Sequence, residues 1–304
     1  MRTWILIGII VLLSLTIVVL LLGGGFLGAS PATQTASPSP ALPTEQTLEE
    51  SGTPSPSSTT APEESPTATT AAQDQETIYI SQPGQGSSVT SPVLVKGIAD
   101  STFEQNLVLT ITDEDGDLLL MQATTIQTPL GERGPYSAAL DFSVGSQQAG
   151  RISVFSLSAM DGSLEHLSSV EVSLLPEGEA QILGPALDAE SIRIDTPLMS
   201  AVVSGGTVTV SGFSDYFFES NLGLALCGQG GDGAPHPLCG TEDNLLASGF
   251  AMIDAPDIGQ PGPFSGEIQY SVTTETIARL VVYAASPRDG GLLHANSIIV
   301  TLLP

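Results

Sequence analysis

Gly97-Ile98-Ala99-Asp100-Ser101-Thr102-Phe103-Glu104-Gln105-Asn106-Leu107 returns 115 positions later as Gly212-Phe213-Ser214-Asp215-Tyr216-Phe217-Phe218-Glu219-Ser220-Asn221-Leu222. A second match, Gly134-Pro135-Tyr136-Ser137 with Gly262-Pro263-Phe264-Ser265, is 128 positions apart. That offset holds through Arg151/Arg279, Asp161-Gly162/Asp289-Gly290 and His166/His294, as far as Leu174-Leu175-Pro176/Leu302-Leu303-Pro304. Self-similarity at a fixed offset marks a duplicated unit. Each copy is about 100 residues, the size of a domain rather than of a solenoid repeat.

Within each copy the texture is strands and turns. Thr207-Val208-Thr209-Val210-Ser211 and Val170-Glu171-Val172-Ser173-Leu174 alternate polar and apolar residues at period two, as a half-buried strand does. Strands are expected near 78–81, 93–97, 107–112, 118–126, 136–143, 151–157 and 168–175. The second copy repeats them near 192–195, 207–212, 221–226, 245–253, 264–271, 279–285 and 296–303. Pro83-Gly84, Asp115-Gly116 and Asp161-Gly162 supply tight turns. Seven short strands per unit predict an all-β chain of two tandem immunoglobulin-like β-sandwiches, at 78–176 and 192–304. A small open barrel is the alternative. The linker at 177–191 holds Gly178, Gly184 and Pro185, which predicts hinge freedom.

The first 77 residues have a different composition. Positions 4–22 carry no charge, and as a helix they span about 28 Å, close to the hydrocarbon thickness of a bilayer. Arg2 precedes them and no basic residue follows until Lys96, so the positive-inside rule leaves the bulk of the chain outside the membrane. Length favours a retained anchor in segment 1–29; a cleaved signal peptide is the alternative, and both export the product. Segment 30–77 is rich in Pro, Ser and Thr and has no aromatic residue before Thr77, which predicts a disordered stalk. The expected location is the bacterial cell membrane, single-pass, with the carboxy-terminal units extracytoplasmic.

The formal charge is −26, from 33 acidic and 7 basic residues. Lys96 is the sole lysine, and beyond Arg2 only Arg133, Arg151, Arg193, Arg279 and Arg288 join it. No basic stripe for phosphates can be assembled, which excludes nucleic acid as a partner. The same deficit restricts membrane contact to the amino-terminal helix.

Each unit resembles Gmad2, the immunoglobulin-like domain named for bacterial spore germination. The resemblance rests on the opening Ile-x-Ile…Pro, on Ser91-Pro92-Val93-Leu94-Val95-Lys96-Gly97, and on Phe103-Glu104-x-Asn106-Leu107. It continues through Asp113-Glu114-Asp115-Gly116, Gly134-Pro135-Tyr136 and Val154-Phe155…Asp161-Gly162-Ser163. It covers the first unit nearly whole; in the second, Gly205-Gly206 replaces Ser91-Pro92 and 13 residues are inserted between Leu222 and Gly262. The resemblance implies a non-catalytic extracytoplasmic module, with germination-type envelope processes as its setting and no ligand specified.

Candidate sites are few. Cys227 and Cys239 are the only cysteines and lie in or beside the insertion, where an exported chain is expected to form a disulfide. His236 between them makes too small a ligand set for a metal. His166 and His294 read as residues near the start of a strand retained from the duplicated ancestor, without companion ligands nearby in sequence. Arg151 is expected to pair with Glu104 or Asp161, and Arg279 with Glu219 or Asp289. Asp113-Glu114-Asp115-Gly116-Asp117 opens like a calcium loop, but its twelfth position is Thr124, so a charged hairpin turn is expected. Phe103 and Phe218 read as core plugs, leaving Tyr216 and Phe217 with Asp232 and His236 as the candidate binding surface. No catalytic motif, cofactor site or metal site is expected. The function expected is display of two modules toward an envelope protein or wall glycan, with recognition centred on the disulfide-closed loop. A carbohydrate-binding module and a purely structural spacer are the alternatives.

Overall fold

The computed structural model describes residues 75–304. The segments read as anchor and stalk lie outside the described residues, apart from 75–77. No helix among the described residues is long and apolar enough to cross a membrane.

The first half contains β1 (Ile78–Gln82), β2 (Ser88–Thr90), β3 (Val93–Ala99), β4 (Asn106–Thr112), β5 (Leu118–Thr125), β6 (Gly134–Leu140), β7 (Gln148–Leu157) and β8 (Leu164–Leu175). The second contains β9 (Ile192–Thr196), β10 (Ala201–Val203), β11 (Thr207–Ser214), β12 (Asn221–Cys227), β13 (Pro235–His236), β14 (Gly240–Thr241), β15 (Leu245–Ile253), β16 (Gly262–Gln269), β17 (Thr276–Ala285) and β18 (Leu292–Leu302). In the first half β1-β3-β6 form one sheet, and β5-β4-β7-β8 form the other layer. In the second, β15 pairs with β16 as well as β12, which joins the two layers along one edge. The short strands β2 and β10, which the period-two reading missed, lie parallel to β8 and β18.

The pleat of each strand sets its two faces. Strand β3 buries Val93, Val95, Gly97 and Ala99 and turns Leu94, Lys96 and Ile98 outward. The repeated glycines have a packing reason. A Cβ on Gly97 would meet the Tyr79 carbonyl and the Tyr136 ring, and one on Gly212 would meet the Arg193 carbonyl and the Phe264 ring. Gly-Pro-aromatic and the earlier glycine therefore recur together, because the ring lies over the glycine in the cross-strand register Gly97↔Tyr136 and Gly212↔Phe264. One core gathers around Ile78, Leu107, Leu109, Ile152 and Leu174. Another gathers around Ile192, Leu222, Leu224, Leu280 and Val300.

The halves are not hinged. Strand β8 pairs antiparallel with β18 through His294↔Ser168, Ala295↔Leu167 and Asn296↔His166, so one sheet crosses the boundary. These pairs obey the 128-residue offset, which places a local two-fold axis beside Leu167 and Ala295. A third apolar cluster fills this seam, including Leu164, Leu167, Cys227, Leu238, Val281 and Ala295. The linker at 177–191 corrects the expectation of hinge freedom. Gln181 exchanges backbone bonds with Ser88 (2.8 and 2.9 Å), Leu183 N–H donates to Ser87 Oγ (2.9 Å), and Tyr79 Oη donates to the Ala186 carbonyl (2.9 Å). The segment is strapped to the first half, since its backbone groups find partners there rather than in water. Both halves fall within a single compact unit.

Candidate functional site

Among the described residues, the seam brings four titratable side chains, Glu76, His166, Glu190 and His294, into one group. Glu76 and Glu190 stand two residues before Ile78 and Ile192, the first residues of β1 and β9. His166 and His294 sit on the paired strands β8 and β18. The fold places one Glu and one His from each half at the local axis. His166 Nε2 lies 3.2 Å from Glu76 Oε1 and 3.2 Å from Glu190. His294 Nε2 lies 2.9 Å from Glu76 Oε1 and 3.5 Å from Glu190 Oε1. The imidazoles meet edge to face with centroids 5.0 Å apart.

The supporting bonds share the symmetry. Ser191 N–H donates to Glu76 Oε2 (3.1 Å), and Thr77 N–H donates to Glu190 Oε2 (3.2 Å). Each carboxylate thus accepts from the residue that follows its counterpart. Ser168 Oγ adds a 2.7 Å bond to Glu76 Oε1. The four side chains are only 3–7% exposed. Buried carboxylates need compensation, and here the histidines and backbone donors supply it. Burial pushes the Glu76 carboxyl up, but the charges of His294 and His166 and the Ser168 hydroxyl override it and hold the group at about 2. Burial pulls the His294 imidazole down, while Glu76, Glu190 and Asp215 outweigh this and raise it above its ordinary value. Neither His166 Nδ1 nor His294 Nδ1 has a hydrogen-bond partner. Nε2 is therefore the nitrogen that each ring offers to the site.

Two clefts reach the cluster. One of about 430 Å³ includes Glu76, His294, Asp215, Tyr216 and Phe217; another of about 580 Å³ includes Glu190, Arg193 and Asn296. The histidines were expected to lack companions because sequence neighbours offered none. Their companions come from 24 and 218 positions away. The missed signal was Glu-x-Ile-x-Ile at both 76–80 and 190–194. Glu76 fell within the stretch read as stalk, and Glu190 within the stretch read as linker.

The arginine pairings differ from expectation. Arg151 is 2% exposed and bonds both Asp289 oxygens (3.0 and 3.1 Å), with Glu171 at 3.7 Å; it pairs with neither Glu104 nor Asp161. Arg279 bonds Glu165 (3.1 Å), Ser163 Oγ and Ser297 Oγ (3.0 Å each), rather than Glu219 or Asp289. Both arginines reach across the seam because β7 and β17 flank the paired β8 and β18. Phe103 and Phe218 are not core plugs; they are 60% and 53% exposed. Each opens a tight turn in which the next two residues, Glu104-Gln105 and Glu219-Ser220, have positive φ. In the first half Gln105 goes inward instead and donates to the Pro129 and Glu132 carbonyls (2.9 and 3.0 Å).

The insertion is also placed differently. Cys227 and Cys239 form a disulfide, and the Leu238 carbonyl accepts from Leu164 N–H across the seam (2.8 Å). The disulfide-closed loop, expected to carry recognition, is therefore docked against the first half. Asp232 is exposed, and His236 Nδ1 accepts from Leu238 and Cys239 N–H (3.3 and 3.2 Å). Tyr216 is 39% exposed, while Phe217 packs toward the second core, 6.4 Å from the His294 ring. Asp113 Oδ1 accepts from Asp115 and Asp117 N–H (3.1 and 2.9 Å), a carboxylate-closed turn.

Residues 77–163 match the family model Gmad2, described as the immunoglobulin-like domain of bacterial spore germination. No curated protein matches the chain. Among solved structures, dimeric latent PorU from Porphyromonas gingivalis aligns at 11% identity and TM-score 0.22, over 75% of this chain and 24% of PorU. Red sea bream transglutaminase aligns at 12% and 0.25, over 75% and 31%. The carboxy-terminal domain of the Streptococcus agalactiae AgI/II polypeptide BspA aligns at 11% and 0.19, over 73% and 98%. The chain spans about a quarter to a third of the first two. At these TM-scores the likenesses identify no role.

Proposed function

We propose that this chain, whose residues 77–163 match the Gmad2 family model, is a non-catalytic module of the bacterial envelope that presents a stiff pair of immunoglobulin-like lobes outside the membrane. The observation that carries the reading is the seam: one sheet runs through both halves, so their outer edges are held at a fixed spacing. A stiff body at the end of a long polar stretch suits presentation, because fixed spacing lowers the ordering cost of a two-point contact. The apolar segment at 4–22 and the buried Cys227–Cys239 disulfide support the extracytoplasmic setting. An envelope protein or a wall glycan is the expected partner.

The test is protease shaving of intact cells, followed by immunodetection of the β-body. Loss of the body from unlysed cells, with a cytoplasmic marker retained, is expected. Protection until lysis overturns the reading.

A further inference from the structure

We propose that Glu76, His166, Glu190 and His294 form a closed four-coordinate site for a divalent ion of the zinc class, which clamps the two halves together. Each half supplies one imidazole nitrogen and one carboxylate, and the donor atoms lie within 4.8 Å of one another. Imidazole and carboxylate are zinc ligands at about 2.0–2.2 Å, and four protein ligands without an open position mark a structural site. Tetrahedral donors at such distances stand about 3.3 Å apart. The four nitrogen–oxygen edges here measure 3.2, 3.2, 2.9 and 3.5 Å. The cage is thus near the required size, and an ion need only draw in its wider edges.

Charge points the same way. Two buried carboxylates facing two imidazoles form a set that one dication neutralises while both rings stay uncharged. The clefts at Glu190 and at Glu76–His294 give access from solvent. The rival account is a plain His–carboxylate hydrogen-bond network of the same residues. The unpartnered Nδ1 atoms bear on affinity: outer partners of ligating histidines are worth about 10–100-fold, so binding is expected to be weaker than in a zinc finger. Because the ligands are split evenly between the halves, binding is linked to their docking, and stabilisation grows with free metal.

The experiment uses the full-length chain in detergent micelles, stripped with EDTA and titrated with ZnCl2 by calorimetry, with Co2+ as a spectroscopic probe. One zinc per chain, a thermal midpoint that rises with Zn2+ and falls back with EDTA, and the intense visible bands of four-coordinate Co2+ are expected. His166→Gln and His294→Gln, with circular dichroism as a folding check, should each weaken binding by more than about 100-fold. His236→Gln should leave it unchanged. Sub-stoichiometric zinc in the wild-type chain, or a six-coordinate Co2+ spectrum, overturns the proposal without recourse to any variant. So does undiminished binding in folded His166→Gln or His294→Gln.

Discussion

Two corners of the seam answer to the same repeat and are built differently. At one, Arg151 grips Asp289 directly and both side chains are buried, at 3% and 0% exposure. At the other, Arg279 meets Ser163 Oγ, which itself donates to Asp161 Oδ1 at 2.7 Å. Several substitutions separate them, and the one beside the guanidinium is that Ser163 stands where its counterpart is Gly291; Glu165 likewise stands where its counterpart is Leu293. A Cβ on Gly291 would run into the Arg151 guanidinium. Glycine opens the direct route, whereas the serine hydroxyl interposes itself and sends the rest of Arg279 to the half-exposed Glu165. A duplicated pair of arginines has thus become one buried ion pair and one relayed, partly solvated contact.

The comparison breaks most severely at Asp289. Asp289→Asn leaves buried Arg151 with only the half-exposed Glu171, 3.7 Å away, as counter-charge and is expected to cost about 3 kcal/mol, read from urea unfolding of the full chain. It should also split a single transition in two as the seam opens. Burial would raise the Asp289 carboxyl, but Gly291 N–H, the Arg151 guanidinium, Ser286 and Arg288 outweigh it and hold the group below the usual carboxylate range. A depressed carboxyl adds stability above its unfolded value, about 3.9, and loses it as pH falls below that. The wild-type urea midpoint should therefore drop more steeply between about pH 4 and pH 2 than that of Asp289→Asn. Equal slopes would dismiss the ion pair as a contributor.

Next in size is the disulfide. Replacing Cys227 and Cys239 by serine is expected to cost about 3 kcal/mol for a loop of this length. Because Leu238 is docked on Leu164, the loss should increase hydrogen exchange at Leu164 as well as within the loop. Protection unchanged at Leu164 would mean that the insertion does not brace the seam. Gly291→Ser should convert the direct corner into the relayed one, at about 1–3 kcal/mol for crowding the guanidinium. A crystal structure still showing both Arg151–Asp289 bonds would refute the steric explanation. Glu165→Gln, at the solvated corner, should change stability by less than about 1 kcal/mol.

Local pattern made much of this legible. Period-two alternation in Val170-Glu171-Val172-Ser173-Leu174 and in Thr207-Val208-Thr209-Val210-Ser211 located strands within a few residues. The paired glycine and Gly-Pro-aromatic motifs announced the duplication. The cluster at the axis was legible only in part: both histidines stood out as repeats, but Glu76 and Glu190 lay beyond the strands that the alternation marked. Phe103 was misplaced for a related reason, since apolar character alone does not say which residue of a turn points inward, and Gln105 took that position.

By itself the sequence determined strands, turns, duplication and which side chains were kept in duplicate, because those follow from local periodicity and from steric demands between near neighbours. Only the tertiary structure decided that β8 pairs with β18, and hence that Arg151 meets Asp289 and that two histidines share two glutamates. An antiparallel ladder between two edge strands can close in many registers. The choice was made by side chains from both halves fitting together around one axis, and no single stretch of either half records it.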